Sequence, residues 1–323
     1  MNKNPKVSII LPFRNEIEDL DKCLSSFVNS GYKNMEIILI DDESTDGSSE
    51  IAKKYAKEHK FITYLWKKHL PNTWATHAYL LGIEKAKGDL IYIADANVMV
   101  EKDYFEKSIK YLLDSPEVAG VVGKVRLWPP KTFISKHKSV VYDVKFADLK
   151  RINREISEGK ILPRLVTRAA YEKIGGIDPN VRWSLDTDFT KRLLKAGYKI
   201  AYAPDAVWFH KWRDSVSDLV KYSLKFGKYN HKQAGADFKQ TVKILFFILP
   251  LVFIILSFLD RIFLFFLAVH FSIVFFSGLV LFKKSKNMPF RNYALLTPLI
   301  SYIQNIPYSL GFILGYFEGE KLS

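Results

Sequence analysis

A chain of 323 residues that is 48% hydrophobic and 15% aromatic can bury one substantial core. Its formal net charge of +14 suits an anionic partner, whether nucleic acid, a membrane face or a small substrate, and composition does not choose among them. A single cysteine, Cys23, excludes an internal disulfide and fits a reducing compartment.

The apolar run 7–13 is too short for a signal peptide and stands behind only a few polar residues, so the domain it opens is expected to stay on the side where it is made. Residues 6–12 read as a buried strand ended by proline, followed by Phe13-Arg14-Asn15-Glu16 and a helical pattern through Phe27. A second strand at 35–40 meets Asp41-Asp42-Glu43-Ser44-Thr45-Asp46-Gly47-Ser48 and a helix over 49–58, with Asp46 and Ser48 as N-cap candidates. A third strand at 61–66 and a helix over 74–86 lead to Gly88-Asp89 and the strand 90–93. That strand runs into Asp95 and Asn97, two oxygen-bearing side chains one residue apart. In an open sheet the carboxyl ends of strands are where ligands bind, and such a pair can grip one divalent cation that also holds a diphosphate. Taken alone, Asp95 and Asn97 read better as an Asx turn, and it is the loops that accompany them that favour a ligand site.

Alternating strands and helices imply right-handed crossovers and a mostly parallel sheet. No G-x-G-x-x-G follows the first strand and no G-x-x-x-x-G-K-[ST] occurs, which argues against a dinucleotide dehydrogenase or a P-loop enzyme. Instead, carboxylates follow the second and fourth strands and an Arg/Glu pair follows the first. One sheet edge of that kind suits a base, a ribose and a metal-bound diphosphate; capping is the competing account of Asp41 and Asp42.

Four ordered motifs then carry a resemblance: VSIILPFRNE (7–16), IILIDDESTDGS (37–48), AKGDLIYIADAN (86–97) and WSLDTDFTKRLLKAG (183–197). Over residues 6–213 the chain resembles glycosyltransferase family 2. The resemblance implies a GT-A fold, a Rossmann-like α/β domain that binds a nucleotide sugar, and inversion at the anomeric centre. It also implies that Pro12, Arg14, Glu16 and Asp42 line the nucleoside pocket. Asp95 and Asn97 would stand at the family's D-x-D metal motif, for Mn2+ or Mg2+; Asn, a neutral ligand, departs from the pattern at the second position. Residues 70–77 also depart from it, and Lys67, Lys68 and His77 are read as solvated charge.

After the metal motif a helix over 103–113 and a strand over 118–122 precede Gly123-Lys124-Val125-Arg126. Residues 131–160 read as basic surface helices, and Gly175-Gly176-Ile177-Asp178-Pro179 as a turn. Where the family usually has Glu-Asp, this chain has Leu185-Asp186, with Asp188 following on the same helix. Direct displacement needs a base opposite the leaving diphosphate, and Asp186 is the candidate, with helix capping as its competitor; capping is preferred for Asp188. A strand at 199–203 and the segment 206–210 close the domain. His210 resembles the C-terminal metal ligand of many GT-A enzymes, with plain packing as the alternative, and Lys211 and Arg213 could neutralise a departing diphosphate.

From 214 to 240 the pattern becomes one helix. Lys221, Lys225, Lys228 and Lys232 recur at helical spacing beside Tyr222, Phe226 and Tyr229, which predicts an amphipathic interfacial helix on an anionic membrane, or else a solvated face over a core stripe. Residues 241–323 hold three apolar runs, at about 242–259, 262–282 and 292–317, near the roughly 20 residues a bilayer crossing needs. Lys283, Lys284, Lys286 and Arg291 put the loop between the second and third runs in the cytoplasm, and by counting back the catalytic domain too. Gly311, Gly315 and Gly319 at four-residue spacing predict close helix packing, with a homo-oligomer through these helices as one form of it.

The expectation is therefore a membrane-anchored, multi-pass, metal-dependent inverting glycosyltransferase. It would take a GDP- or UDP-linked sugar and a lipid-linked acceptor, and would bind no nucleic acid. Lys124, Arg126 and Arg213 are expected to bind the nucleotide sugar; the alternatives are a polyprenyl-phosphate sugar synthase, in which these three would instead hold the acceptor phosphate, and a non-catalytic nucleotide-binding scaffold.

Overall fold

The computed structural model describes residues 3–70, 75–181, 185–234, 238–286 and 288–318. Its chain divides into one unit formed by Met1–Arg126 and Phe146–Lys211 and a second formed by Leu127–Lys145 and Trp212–Ser323. Residues 127–145 thus belong with the C-terminal part, although they were expected to lie in one continuous domain ending at 213.

The first unit is a mixed α/β sheet domain. Its elements are β1 (Val7–Phe13), α1 (Leu20–Val28), β2 (Met35–Asp41), α2 (Ser48–Glu58), β3 (Ile62–Trp66), α3 (Thr76–Lys85), β4 (Leu90–Ile93), β5 (Val98–Val100), α4 (Tyr104–Leu113) and β6 (Val118–Leu127). After α5 (Phe133–Ala147) it resumes with α6 (Leu149–Ser157), β7 (Leu165–Thr167), α7 (Arg168–Lys173), α8 (Leu185–Lys195) and β8 (Lys199–His210). The strand order is β3-β2-β1-β4-β7-β6-β8-β5.

β1, β2, β3 and β4 pair in parallel, as their crossover helices require, and their near-continuous apolar runs are buried. β7 then enters antiparallel between β4 and β6, and β5 pairs antiparallel with β8. The sheet is therefore half antiparallel rather than mostly parallel. Three-residue strands leave too little alternation to announce this in sequence. Strand β6 runs five residues beyond the expected 122, and the segments 199–203 and 206–210 join into one strand.

Between the layers lies a core of Ile10, Ile38, Ile40, Ile91, Ile93, Val166 and Phe189, with Ala78, Tyr79 and Ile83 from α3. On the other face Phe27, Tyr92, Tyr104 and Phe105 meet edge to face, with Tyr92 and Tyr104 5.7 Å apart. These two layers fix where the C-terminal ends of β1, β2 and β4 emerge.

The second unit holds α5, α9 (Val216–Ala234), α10 (Phe238–Leu256), α11 (Ile262–Lys284), a 3-10 turn at Arg291–Leu296 and α12 (Thr297–Glu318). Among the described residues one helix, Ile262–Lys284, is long and apolar enough to cross a membrane, and the apolar stretch Thr241–Leu256 is shorter. Of the three expected spans, length and composition support the second, Ile262–Lys284. Pro298 lies in the first turn of α12, where its missing N–H is harmless, while Pro307 and Pro250 sit inside their helices.

Helices α9 and α12 pack closely through glycine. A Cβ at Gly227 would overlap the Tyr308 carbonyl, and one at Gly311 the Leu224 carbonyl; at Gly315 it would come 2.6 Å from the Lys228 carbonyl. The glycine spacing thus serves a contact within the chain; Gly319 lies outside the described residues. Phe226 packs on Tyr308 at 5.7 Å, so part of the aromatic stripe faces inward, while Lys221 and Lys225 are exposed. Nothing is described of the Tyr229 and Lys232 side chains.

Candidate active site

The loops after β1 and β2 are tied together. Asn15, at φ 55°, accepts from Thr45 N at 2.8 Å and donates its own N–H to Ser44 Oγ at 3.2 Å. Glu16 N donates to Ser48 Oγ at 2.8 Å and Ile17 N to Asp46 Oδ2 at 3.0 Å. Asp46 therefore braces a neighbouring loop, and the N-cap of α2 is Gly47, whose φ of 95° favours glycine. This places Arg14, exposed and without an ion pair among the described residues, beside half-buried Glu16. Pro12 is buried in β1, in register with Ile40.

Asp41 is fully buried and accepts from Ser44 N at 2.8 Å, Tyr64 Oη at 2.9 Å and Ser49 Oγ, a structural arrangement. Asp42 points the other way. Lys67 Nζ donates to one of its oxygens, and His69 Nδ1 donates to the other at 2.6 Å. Lys67 is therefore an ion-pair partner rather than solvated charge. His69 escaped the sequence reading, although it leaves β3 at the same sheet edge as Asp42.

At the end of β4, Asp95 Oδ1 accepts from Tyr79 Oη at 2.8 Å and Oδ2 from Arg164 Nη2 at 2.6 Å. Its side chain is 43% exposed, against 13% for Arg164. Burial pushes the Asp95 carboxyl up, but the Arg164 charge and the hydrogen bonds from Arg164 and Tyr79 outweigh it and hold the group below its ordinary value. Two residues on, Asn97 Oδ1 is buried with no hydrogen-bond partner among the described residues. His210 stands opposite Val98 in register, and its electrostatic influence is a further, smaller cause of the lowered Asp95.

Asp186 is the second residue of α8 and is exposed, yet protein surrounds it densely. That desolvation raises its carboxyl above the ordinary range, Arg164 opposes the shift, and Asp95 adds to it. Glu16 is raised from near 4.5 to about 7, first by burial and then by Asp19, with Lys211 opposing and Asp95 adding. Asp95 thus acts electrostatically on both Asp186 and Glu16. Asp188, by contrast, accepts from Arg192 at 2.7 and 2.9 Å, so it is held by an ion pair along the helix.

Of the remaining candidates, Lys124 is half-buried and Arg126 exposed on β6, and neither makes an ion pair among the described residues. Lys211 Nζ is engaged by Asp19 at 2.8 Å and Glu18 at 3.1 Å. Arg213 falls in the second unit, where its guanidinium stacks 3.5 Å from the Tyr222 ring centroid.

A cation fits part of this arrangement. No group of three or more His, Cys, Asp or Glu side chains able to hold a metal occurs among the described residues. The orphaned Asn97 Oδ1 beside the half-open Asp95 carboxylate nevertheless offers two hard oxygens, and a diphosphate would add more.

A sequence model described as glycosyl transferase family 2 matches residues 8–175, just over half of the chain. Glycosyltransferase AglE of Haloferax volcanii is 25% identical over 229 residues, which is 69% of this chain and 72% of that protein. A Methanococcus voltae dolichyl N-acetyl-alpha-D-glucosaminyl phosphate 3-beta-D-2,3-diacetamido-2,3-dideoxy-beta-D-glucuronosyltransferase is 25% identical over 233 residues, 68% of this chain and 71% of that protein. Among solved structures, the mannosyltransferase PcManGT from Pyrobaculum calidifontis, in complex with GDP-Man and Mn2+, has a TM-score of 0.58 at 17% identity, covering 97% of this chain and 88% of that one. Identity that low shows the fold alone.

Proposed function

Because this chain belongs to glycosyl transferase family 2, we propose that it moves a sugar, with inversion, from a nucleoside diphosphate to the hydroxyl of a lipid-linked acceptor at the cytoplasmic face of a membrane. The observation that carries this reading is Asp186, an exposed carboxylate with raised proton affinity, electrostatically coupled to Asp95.

In the reaction, the acceptor oxygen forms its bond to the anomeric carbon as the bond from that carbon to the diphosphate oxygen breaks. The acceptor proton passes to an Asp186 carboxylate oxygen, and raised affinity makes it a better base than an ordinary aspartate. Pro12, Arg14, Glu16 and Asp42, at the ends of β1 and β2, would line the nucleoside pocket. Mn2+ or Mg2+, held by Asp95 and Asn97 with His210 nearby, would supply positive charge to the diphosphate. A GDP-linked donor is supported by the mannosyltransferase bound to GDP-Man, a UDP-linked one being the other candidate, and a lipid-linked acceptor is supported by the name of the Methanococcus relative. Helix α11 is the segment proposed to hold the chain at the bilayer, with α10 and α12 as further spans.

A polyprenyl-phosphate acceptor is the second reading, favoured by the cations of Lys124 and Arg126, which make no ion pair among the described residues. Transfer from labelled GDP- and UDP-sugars to extracted membrane lipids separates the two. With a hydroxyl acceptor, Asp186→Asn should lose about 10²- to 10⁴-fold in rate with donor affinity held. Full activity in that variant would remove Asp186 as the base and favour the phosphate acceptor.

A further inference from the structure

The guanidinium of Arg164 carries a charge that the proposed reaction leaves unused. Antiparallel pairing sets Leu165 against Tyr92, which brings Arg164 beside Ile93, two residues before Asp95. There Nη1 donates to the Ile93 carbonyl at 2.9 Å and Nη2 to Asp95 at 2.6 Å, and the guanidinium plane lies 4.4 Å from the Trp208 ring centroid. Three independent contacts therefore hold a nearly buried cation behind a carboxylate that opens to solvent on its other side. Tyr79, bridging the Ala94 carbonyl and Asp95 Oδ1, restrains the same carboxylate from a second direction.

A carboxylate already neutralised in this way attracts a second cation weakly. We propose that Arg164 is a fixed counter-charge that keeps Asp95 and Asn97 from binding a divalent cation by themselves, so that the cation binds there only together with a nucleoside diphosphate. The physical reason is additive charge. Asp95 contributes one negative charge, Arg164 pairs with it directly, and Asn97 brings none, so the two ligands themselves offer a cation little net charge until a diphosphate arrives. The diphosphate then supplies both the anionic oxygens the cation needs and a partner for the guanidinium's field. Arg164 is thus a positioning residue: it fixes the Asp95 rotamer and sets the order in which ligands are accepted.

This inference rests on the reading of Asp95 and Asn97 as cation ligands, and the test separates the two. Free Mn2+ is measured by electron paramagnetic resonance during titration of the full chain in detergent, first without nucleotide and then with GDP or UDP. Arg164→Met, which keeps length and apolar bulk but removes the charge, should bind Mn2+ alone at least about tenfold more tightly than wild type, following the size of effect one neighbouring charge has on a carboxylate. The same variant should bind the nucleotide with Mn2+ more weakly, so the two affinities move in opposite directions, which loss of structure would not produce. Arg164→Lys, keeping the charge, should leave Mn2+ affinity within about threefold of wild type by the same charge argument. Should the Met variant fail to fold, Arg164→Gln is neutral and can still donate to the Ile93 carbonyl. An Arg164→Met or Arg164→Gln protein that is folded by circular dichroism and binds Mn2+ no more tightly than wild type overturns the proposal. If Asp95→Asn leaves Mn2+ binding unchanged with nucleotide present, the ligand reading itself has failed.

Discussion

At Asp42 the chain spends a buried ion pair on a residue at the edge of the proposed nucleoside site. Lys67 and His69 both bond to it, so a base or ribose would have to share that carboxylate with two donors already present. Carboxylate oxygens each accept more than one hydrogen bond, and sharing is possible. Removal of the carboxylate by Asp42→Ala should weaken nucleotide binding by about 1.5–3 kcal/mol even without metal, as calorimetric titration with GDP and UDP would reveal. Unchanged affinity together with lowered melting temperature would mean that Asp42 only secures Lys67 and His69. A second expectation concerns Glu16. Its raised affinity means that the folded state keeps a proton from about pH 4.5 to about 7 that the unfolded chain has released. The folded state binds more protons in that window, so Glu16's contribution makes stability fall as pH rises through it and level off above. Thermal unfolding of wild type and Glu16→Gln at pH 5, 6, 7 and 8 checks the sign: the variant's melting temperature should decline less over that range.

Helices and strands were readable to different degrees, and the difference is physical. β1, β2 and β4 are continuous apolar runs bounded by polar loops, and the expected strands lie within a residue of those observed. β5 and β7, three residues each, carry no period and take their conformation from the strands beside them. The candidates that follow β1, β2 and β4 could therefore be named from sequence, whereas His69, in the polar stretch after β3, and Arg164, delivered by an antiparallel strand, could not. Tyr79 was missed for a related reason: it sits at a core-facing position of α3, where an aromatic reads as packing. Between α9 and α12 the glycines allow a test of packing. Gly311→Leu would force a side chain into the Leu224 backbone, and overpacking of this kind costs about 1–3 kcal/mol or more. We expect a lowered melting temperature in detergent, with nucleotide affinity of the surviving folded fraction unchanged. Gly311→Ala should show a smaller loss of the same sign.

For the molecule as a whole, the long apolar helix Ile262–Lys284 and its exposed Phe265, Phe271 and Phe276 call for a nonpolar surrounding. Expressed protein should sediment with membranes, resist an alkaline carbonate wash and be released by detergent; extraction by carbonate alone would make α11 a peripheral or protein-packed helix. The division of the chain has a different consequence. Helix α5 leaves the first unit's sequence after β6, and its buried Ile134 packs with Leu219 and Ile300. A fragment ended at 213 would keep α5 and lose both of those partners, so a soluble version of the α/β domain made by truncation would carry an uncovered apolar strip. During synthesis the same strip has to wait. Ile300 is translated 166 residues after Ile134, about 10–30 s at ordinary elongation rates, and α5 has emerged from the ribosome for most of that interval. A nascent chain in that condition needs either a chaperone or an early seat on a lipid surface. Ribosome profiling of stalled chains ending between 214 and 300 should therefore find them associated with one or the other.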